Sequence, residues 1–241
     1  MTLSARDTAL RELMDDPDCD PARLRATLRR FGTVNRLVAG WAGVYRTHLR
    51  PALTALGRPG RVLDLGCGGG DVMAGLARRA RGDGLAVEWL GVDPEPQAIA
   101  VAQARPTIPG VHYRRTDSDG LLAEGASFDA VISSHVLHHL DSGMLPLFAA
   151  QSRALSSGIV LHSDIERGRL AYALYGIGIT PLAPGTFLRT DGLRSIRRSY
   201  RAEELAAALG APWRVRRPSP FRLLAIASGT ATDTASVTGE G

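Results

Sequence analysis

Residues 62–71 read VLDLGCGGGD, an apolar run that leads directly into a glycine-rich turn. The run predicts a buried parallel strand, and Asp71 opens a helix in which Val72, Leu76 and Ala80 repeat on one face. Glycine suits the turn because the backbone there must adopt positive φ and lie flat against a ligand. The turn and the first N–H groups of the helix therefore predict a binding site for a polar group.

The spacing and charge of this turn indicate which ligand it binds. The glycines follow G-x-G-x-G rather than the G-x-G-x-x-G of dinucleotide-binding turns, and Asp64 precedes the first glycine by two residues. A carboxylate there would repel a pyrophosphate but attract an ammonium or a sulfonium, and S-adenosylmethionine carries both. Asp93 ends the predicted strand 87–92, 23 residues after Gly70. That is close to the spacing of about 20 residues at which an acidic residue holds ribose hydroxyls.

Three motifs in order, VLDLGCGGGD, GVDPEPQAIAVA and FDAVISSHVLHHL, resemble those of the class I S-adenosylmethionine-dependent methyltransferases. The resemblance covers residues 60–165 and is closest to the branch of the ubiquinone and menaquinone biosynthesis methyltransferases, type 11. It implies an α/β Rossmann-like fold, with a seven-stranded, mostly parallel sheet, helices on both faces and an N-terminal helical cap. The alternative is a nicotinamide-binding or cofactor-less Rossmann-like domain.

The predicted cofactor contacts lie in the glycine turn and at the carboxyl ends of the predicted strands, where ligands of open α/β sheets collect. The residues are Asp64, Gly66, Cys67, Gly68, Gly70, Asp93, Pro94, Gln97, Thr116, Asp117, Ser118, Ser134 and His135. The resemblance implies that Asp117 accepts a hydrogen bond from the adenine amino group. The alternative is that Asp117 only caps the turn that follows it.

A cluster of histidines follows the predicted fourth strand, with His135, His138 and His139 at i, i+3 and i+4. His162 lies at the end of the predicted fifth strand, 159–162, and Asp164 follows it by two residues. Both are therefore expected at the same edge of the sheet as the three histidines. A phenol or enol acceptor needs a base, and histidine suits that role near neutral pH. We expect His139 to be the base, with His135 and His162 as the next candidates; the alternative is that the histidines only order the turn. Methyl transfer needs no metal, and we expect no metal site.

Two features of the sequence bear on the methyl acceptor: the absence of a motif typical of amine and nucleobase methyltransferases, and an uncharged segment at residues 170–188. An asparagine- or aspartate-Pro-Pro-aromatic signature is absent after the fourth strand, which disfavours exocyclic amines and DNA. Residues 170–188 carry no charge, and their prolines and glycines argue against a membrane span. We therefore predict a lid insertion at about 168–198, or buried packing. Together with the histidines, this apolar segment and the resemblance to quinone-pathway enzymes favour O-methylation of a lipophilic phenol, hydroxyquinone or polyketide-like molecule. C-methylation of an activated aromatic carbon is the alternative.

The basic charge of the chain has a compositional explanation. The formal net charge is +5, yet all 29 basic residues are arginine. The arginine-rich segment 189–217 raises the alternative of an RNA methyltransferase, but it lacks interleaved aromatic residues, and we expect no nucleic-acid partner. The two cysteines support neither a disulfide framework nor a zinc site. The N-terminus has no signal pattern, so the sequence favours a cytoplasmic protein.

The order of the elements predicts how the chain is divided. Residues 1–58 form the helical cap, with a capping box at Ser4 and Asp7 starting a helix that reaches about Met14, and a second helix starting at Asp20 and Pro21. Residues 59–227 form the cofactor domain, which ends in two strands, 213–217 and 221–227, paired antiparallel at the sheet edge. Residues 228–241 form a tail predicted to be disordered.

Overall fold

The structure is a computed structural model that describes residues 3–16 and 18–231, apart from the side chains of residues 36 and 37. Its centre is one seven-stranded sheet with the order β3-β2-β1-β4-β5-β7-β6. The strands are β1 (Gly60–Leu65), β2 (Val87–Asp93), β3 (Val111–Arg115), β4 (Phe128–Ser134), β5 (Ser156–Ile165), β6 (Arg214–Arg216) and β7 (Arg222–Ser228).

The first five strands run parallel, and the last two complete the sheet in the antiparallel sense. β1 pairs with β2 and β4, β2 with β3 and β4 with β5, all parallel. β7 is antiparallel to β5 and also to β6. The seven-stranded, mostly parallel sheet and the antiparallel pair at its edge are confirmed. The strand order reverses between β1 and β4, so the mouth for a ligand lies at their carboxyl ends.

Helices cover both faces of this sheet, which explains why strands β1 and β4 are buried nearly throughout. The helices are α1 (Pro21–Val38), α2 (Trp41–Val44), α3 (Arg50–Ala55), α4 (Asp71–Gly82), α5 (Pro96–Gln103), α6 (Ser118–Ala123), α7 (Met144–Ala154), α8 (Arg169–Gly178), α9 (Leu188–Arg198) and α10 (Ala202–Leu209). A π-helical stretch, Tyr45–Leu49, joins α2 to α3.

The N-terminal segment, residues 3–20, differs from its prediction. The helix expected from Ser4 to Met14 is absent, and the described part of the segment contains only the 3-10 turn Leu13–Asp15. The prediction is wrong because distant partners take the local donors: Asp191 accepts hydrogen bonds from the backbone N–H groups of Leu13 and Met14. A local capping signal cannot reveal these contacts, which span more than 170 residues.

Helix α1 begins where the sequence predicts. The side chain of Asp20 accepts hydrogen bonds from the N–H groups of Ala22 and Arg23, and Pro21 occupies the first turn. The helix then continues to Val38 and ends shortly before Gly40, which adopts φ 71°.

The predicted start of the disordered tail is also wrong. Strand β7 includes Ser228, and residues 229–231 donate backbone hydrogen bonds to Gly158, Arg153 and Ser156. Residues 232–241, the remainder of the predicted tail, lie outside the described residues.

The apolar segment after β5 is partly exposed and partly buried. Leu170, Leu174 and Ile177 on α8 are 60%, 51% and 74% exposed, whereas Phe187 and Leu188 are buried. The segment therefore combines features of the lid and of the buried packing that the sequence left open. In the part of the chain that the structure describes, no helix is both long enough and apolar enough to cross a membrane.

Candidate active site

The glycine turn after β1 contains three positive φ angles. Gly66, Gly68 and Gly70 have φ of 69°, 53° and 73°, a region that strongly favours glycine. A Cβ at Gly66 would lie 2.6 Å from Val136, and one at Gly70 would lie 2.5 Å from the Tyr113 ring. A Cβ at Gly68 would meet no atom within 4 Å. The outer two glycines are therefore required by packing, whereas Gly68 borders open space in which a ligand can lie.

Cys67 contributes its backbone rather than its side chain to this turn. Its N–H donates to the carbonyl of Val92 at 3.0 Å. Its side chain is buried, and burial raises the pKa of the thiol. Its predicted contact with the cofactor stays a prediction.

Asp93 closes the turn from the end of β2. Its Oδ2 accepts a hydrogen bond from the N–H of Gly68 at 2.9 Å, and its Oδ1 accepts one from the N–H of Glu95 at 2.9 Å. These bonds fix the half-buried carboxylate at the mouth. Each carboxylate oxygen can accept a further hydrogen bond, so the arrangement suits a pair of adjacent hydroxyl groups such as those of ribose.

Burial disfavours the ionised forms of three carboxylates at this turn. Burial, and then the charges of Asp71 and Asp93, raise the pKa of Asp64 well above its usual value. Burial also raises the pKa values of Asp71 and Asp93. Asp71 accepts one hydrogen bond at 3.0 Å from Nδ2 of Asn35. A sulfonium or ammonium group at the turn would stabilise the ionised carboxylates, as the sequence predicts.

Two predicted contacts lie beyond Asp93 on the way into α5. The carbonyl of Pro94 accepts a hydrogen bond from Nε of Arg115 at 3.1 Å. The Oε1 atom of Gln97 is buried and has no hydrogen-bond partner among the described residues. Gln97 lines a cleft of about 680 Å³ between α1 and α5. Its Oε1 is therefore available to a ligand that donates a hydrogen bond.

The residues predicted near the adenine follow β3, and two of them already have partners. Oδ1 of Asp117 accepts a hydrogen bond from the N–H of Gly120 at 3.0 Å, which caps α6. The Ser118 hydroxyl donates to Oε1 of Gln151 at 2.7 Å. Thr116 is half-buried beside Gly120. The capping role of Asp117 is thus present, and its contact with adenine stays a prediction.

The N-terminal helices contact the mouth at two points. Nε1 of Trp41, on α2, donates to the hydroxyl of Ser134 at the end of β4, at 3.0 Å. Asn35, on α1, donates to Asp71 on the opposite side of the glycine turn. These helices therefore position two mouth residues in addition to packing on the sheet.

His135 is held in a form that disfavours it as a base. Its backbone adopts φ 63°, and its Nε2 lies 3.1 Å from Nη1 of Arg222. A guanidinium only donates, so Nε2 must accept and the proton must lie on Nδ1. Burial, and then the charge of Arg222, lower the pKa of His135 well below its usual value. The candidacy of His135 as a base is therefore dropped, whereas its predicted contact with the cofactor stays a prediction.

His162 lies inside the protein, and its candidacy as a base is also dropped. Strand β5 continues to Ile165, so His162 pairs with Ser133 within the sheet instead of ending a strand. The imidazole is fully buried, with Nδ1 2.7 Å from the Ser133 hydroxyl and Nε2 2.9 Å from that of Ser152. Burial lowers its pKa to about 3. The sequence analysis placed the end of β5 three residues too early.

His138 forms a buried ion pair with Asp164. Nδ1 of His138 lies 2.7 Å from Oδ1 of Asp164, and the backbone N–H of His138 donates to Oδ2 at 2.9 Å. Burial alone would lower the pKa of His138, but the carboxylates of Asp164 and Glu12 raise it to about 9. The pair orders the 3-10 turn Leu137–His139, as one of the sequence interpretations expects.

His139 is the more accessible of the two histidines in this turn. Its side chain is 32% exposed, and its Nδ1 lies 3.3 Å from Oδ2 of Asp15. Oε1 of the buried Glu12 lies 3.8 Å from Nε2 of His139 and 3.3 Å from Nε2 of His138. The N-terminal segment therefore supplies two carboxylates to the histidine turn.

Sequence reasoning missed Glu12, Asp15 and Arg222 as residues of the mouth. Each reaches the histidine turn from a distant part of the chain: Glu12 and His138 are 126 positions apart, and Arg222 and His135 are 87 apart. No local pattern marks them.

The fold and the mouth together define a class of protein. Residues 62–158 match the model of a family described as a methyltransferase domain. With the glycine turn, the acidic residue after β2 and the sheet order above, these residues form a class I S-adenosylmethionine-dependent methyltransferase domain, for which S-adenosylmethionine is the cofactor.

Curated relatives place the domain near one branch of this class. The ubiquinone biosynthesis O-methyltransferase of Cereibacter sphaeroides is 31% identical over 120 residues, which are 49% of this chain and 46% of that protein. The enzyme of the same name from Azorhizobium caulinodans is 33% identical over 151 residues, 62% of this chain and 55% of that protein. The chain thus spans about half the length of the curated relatives it matches.

Solved structures show the same fold at low sequence identity. Human N-acetylserotonin methyltransferase in complex with SAM has a TM-score of 0.59 at 15% identity, covering 84% of this chain and 55% of that one. The plantazolicin methyltransferase BpumL in complex with SAH has a TM-score of 0.60 at 14% identity, covering 90% of this chain and 93% of that one.

Proposed function

We propose that the chain transfers a methyl group from S-adenosylmethionine to an oxygen of a lipophilic aromatic small molecule, such as a phenol, a hydroxyquinone or a polyketide-like ring. The observation that carries this proposal is the imidazole of His139, partly exposed on the same rim as the cofactor turn and paired with Asp15. The likeness to ubiquinone biosynthesis O-methyltransferases supports an aromatic oxygen as the acceptor.

In this proposal, different residues at the mouth bind the cofactor and remove the proton from the acceptor. When bound, the cofactor would supply a methyl carbon on a sulfonium. An acceptor oxygen would bond to that carbon in line as the carbon–sulfur bond breaks and S-adenosylhomocysteine leaves. Asp93 and the glycine turn orient the cofactor, and Asp64 and Asp71 attract its cationic end. His139 takes the proton of the acceptor hydroxyl at Nε2, because the nearby carboxylate of Asp15 favours a proton on Nδ1.

The structure disfavours the RNA methyltransferase alternative. Most arginines of 189–217 already bond to other parts of the chain, where they fasten the N-terminal segment and the last helices. They are Arg189, Arg194, Arg197, Arg198, Arg201 and Arg217. An ion pair or hydrogen bond inside the protein competes with a phosphate for the same guanidinium, so this segment is a poor surface for RNA.

A transfer assay tests the proposal. The purified chain is incubated with S-adenosylmethionine and a panel of lipophilic phenols and hydroxyquinones, beside matched analogues whose hydroxyl is already methylated, and RNA. Mass spectrometry and NMR locate the new methyl group. We expect O-methyl products only from the acceptors with a free hydroxyl. Methylation of a ring carbon, of RNA alone or of no acceptor in the panel would contradict the proposal.

A further inference from the structure

Two imidazoles converge on one carboxylate oxygen at the rim of the sheet. Nε2 of His138 lies 3.3 Å from Oε1 of Glu12, and Nε2 of His139 lies 3.8 Å from the same atom. The ligand atoms that the three residues offer all lie within 4.8 Å of one another. Glu12 and His138 are buried, whereas His139 is partly exposed. The cluster is therefore open to the mouth on one side only.

The Nε2 atom of His138 is a buried polar atom without a hydrogen-bond partner among the described residues. Its separation from Glu12, 3.3 Å, exceeds the roughly 2.7–2.9 Å of a charge-assisted N–H···O bond. It matches the edge of about 3.3 Å in a tetrahedron whose bonds to a central zinc ion are about 2.0–2.1 Å long. The spacing thus fits two ligands of one metal ion better than a direct hydrogen bond.

Each of the two histidines also has a carboxylate near its Nδ1 atom, as is common for histidines that bind a metal through the other ring nitrogen. Asp164 lies 2.7 Å from Nδ1 of His138, and Asp15 lies 3.3 Å from Nδ1 of His139. A carboxylate at one ring nitrogen fixes the proton there and leaves the lone pair of the other nitrogen for a metal. In both rings, the nitrogen left in this way is the one that faces Glu12. In His138 the cation displaces the Nε2 proton that the imidazolium carries in the metal-free protein.

We propose that Glu12, His138 and His139 bind one divalent cation of the zinc type. Two imidazole nitrogens and one carboxylate oxygen are ligands that Zn²⁺ favours, and three protein ligands leave a fourth position for water or another oxygen ligand. The bound cation fastens the N-terminal segment to the histidine turn. From the sequence we expected no metal site because methyl transfer needs no metal, and no local pattern connects Glu12 with the histidines, which lie 126 and 127 positions further along the chain.

This site goes beyond the proposed function and does not depend on the methyl acceptor. When the cation is bound, Nε2 of His139 is a ligand, so His139 accepts a proton only in the metal-free form. Binding of the cation and transfer of the methyl group are measured separately, and failure of one is therefore distinguishable from failure of the other.

The test is a calorimetric titration of the metal-stripped full chain with Zn²⁺ alone, without cofactor or acceptor. The variants are Glu12→Gln and His139→Gln, which keep the side-chain size and change the ligand. The matched control is His112→Gln, since Nε2 of His112 lies 3.6 Å from the carboxylate of Glu88 on an exposed surface. Thermal unfolding of each metal-free variant checks that it folds.

We expect one Zn²⁺ per wild-type chain and a rise in the melting temperature when Zn²⁺ is added. Affinity should fall at least about tenfold in Glu12→Gln and in His139→Gln, since each loses one of only three ligands, and stay unchanged in His112→Gln. His139 is partly exposed, so its variant keeps the test valid even if Glu12→Gln does not fold. Absence of Zn²⁺ binding in the wild type, or equal affinity in wild type and His139→Gln, would overturn the proposal.

Discussion

The two sides of the mouth are built in opposite ways. The cofactor side, formed by the glycine turn with Asp64, Asp71 and Asp93, comes from one continuous stretch of strand, turn, helix and strand. The histidine side consists of residues that are distant in sequence: Glu12, Asp15, His138, His139 and Asp164. One side is local, and the other is assembled by tertiary contacts.

The charges of the two sides differ as well. On the cofactor side the pKa values of three carboxylates are raised, so the protein alone does not compensate their charge. On the histidine side, burial would raise the pKa of Asp164, but His138 lowers it below its usual range. The cofactor side therefore needs a cationic ligand, whereas this buried pair on the histidine side is already balanced.

The largest expected effect tests whether the histidine side carries the chemistry. His139→Ala should lower the turnover number by roughly 10²–10⁴-fold, because it removes the proposed proton acceptor. Cofactor affinity should stay unchanged, and the exposed His112→Ala should behave as wild type. Steady-state kinetics and calorimetry, both with a chelator present, measure the two quantities. A near-wild-type turnover number would assign His139 to a structural role.

The next effect tests the buried pair. His138→Gln should lower the free energy of unfolding by roughly 3–5 kcal/mol, because it leaves the buried charge of Asp164 without the cationic imidazole that balances it. The pKa of His138 is about 9 in the folded protein, against about 6.5 in the unfolded chain. The pair's stabilisation is therefore fully present below about pH 6.5 and is lost as the pH rises through 9.

Urea unfolding in the presence of a chelator, at several pH values, checks this prediction. The wild type should lose more stability than His138→Gln between about pH 6.5 and pH 9. Parallel curves for the two proteins over that range would show that the imidazole is not charged in the folded protein.

A third change tests the cofactor side. Asp93→Ala should weaken the binding of S-adenosylmethionine by about 1–3 kcal/mol, since it leaves ribose hydroxyls without their acceptor. Calorimetry measures the affinity, and Glu88→Ala, an exposed carboxylate on the same strand, is the control. Unchanged affinity in Asp93→Ala would show that Asp93 does not hold the ribose hydroxyls. The distinction between a cofactor side and a histidine side of the mouth would then fail as well.

The smallest effect lies where the helical cap meets the sheet. Trp41→Phe keeps most of the ring and removes the hydrogen bond from Nε1 to the Ser134 hydroxyl. We expect a loss of about 1 kcal/mol in the free energy of unfolding and a smaller loss in cofactor affinity. Thermal unfolding with and without S-adenosylmethionine separates the two. A gain in affinity would show that Trp41 restricts access to the mouth.

How much the sequence could predict follows from the same comparison. The strand, the glycine turn and Asp93 are local, so spacing and residue type predict them, and the observed φ angles and hydrogen bonds agree with those predictions. Asp164 was predicted to lie near the histidines, but Glu12 could not be predicted as a partner of His138, because its segment reaches the histidine turn only through long-range packing. The error at His162 concerns only the length of one strand. The predicted strand ended with its apolar run, at residue 162, whereas β5 continues for three more residues to Ile165.

Parallel calorimetric titrations with S-adenosylmethionine, S-adenosylhomocysteine and NAD test the central claim most directly. We expect the first two to bind with one site per chain and NAD not to bind. We also expect the sulfonium form to lose more affinity than the thioether as the pH falls through the raised pKa values of Asp64 and Asp71. Binding of NAD, or of none of the three, would contradict the assignment of the glycine turn.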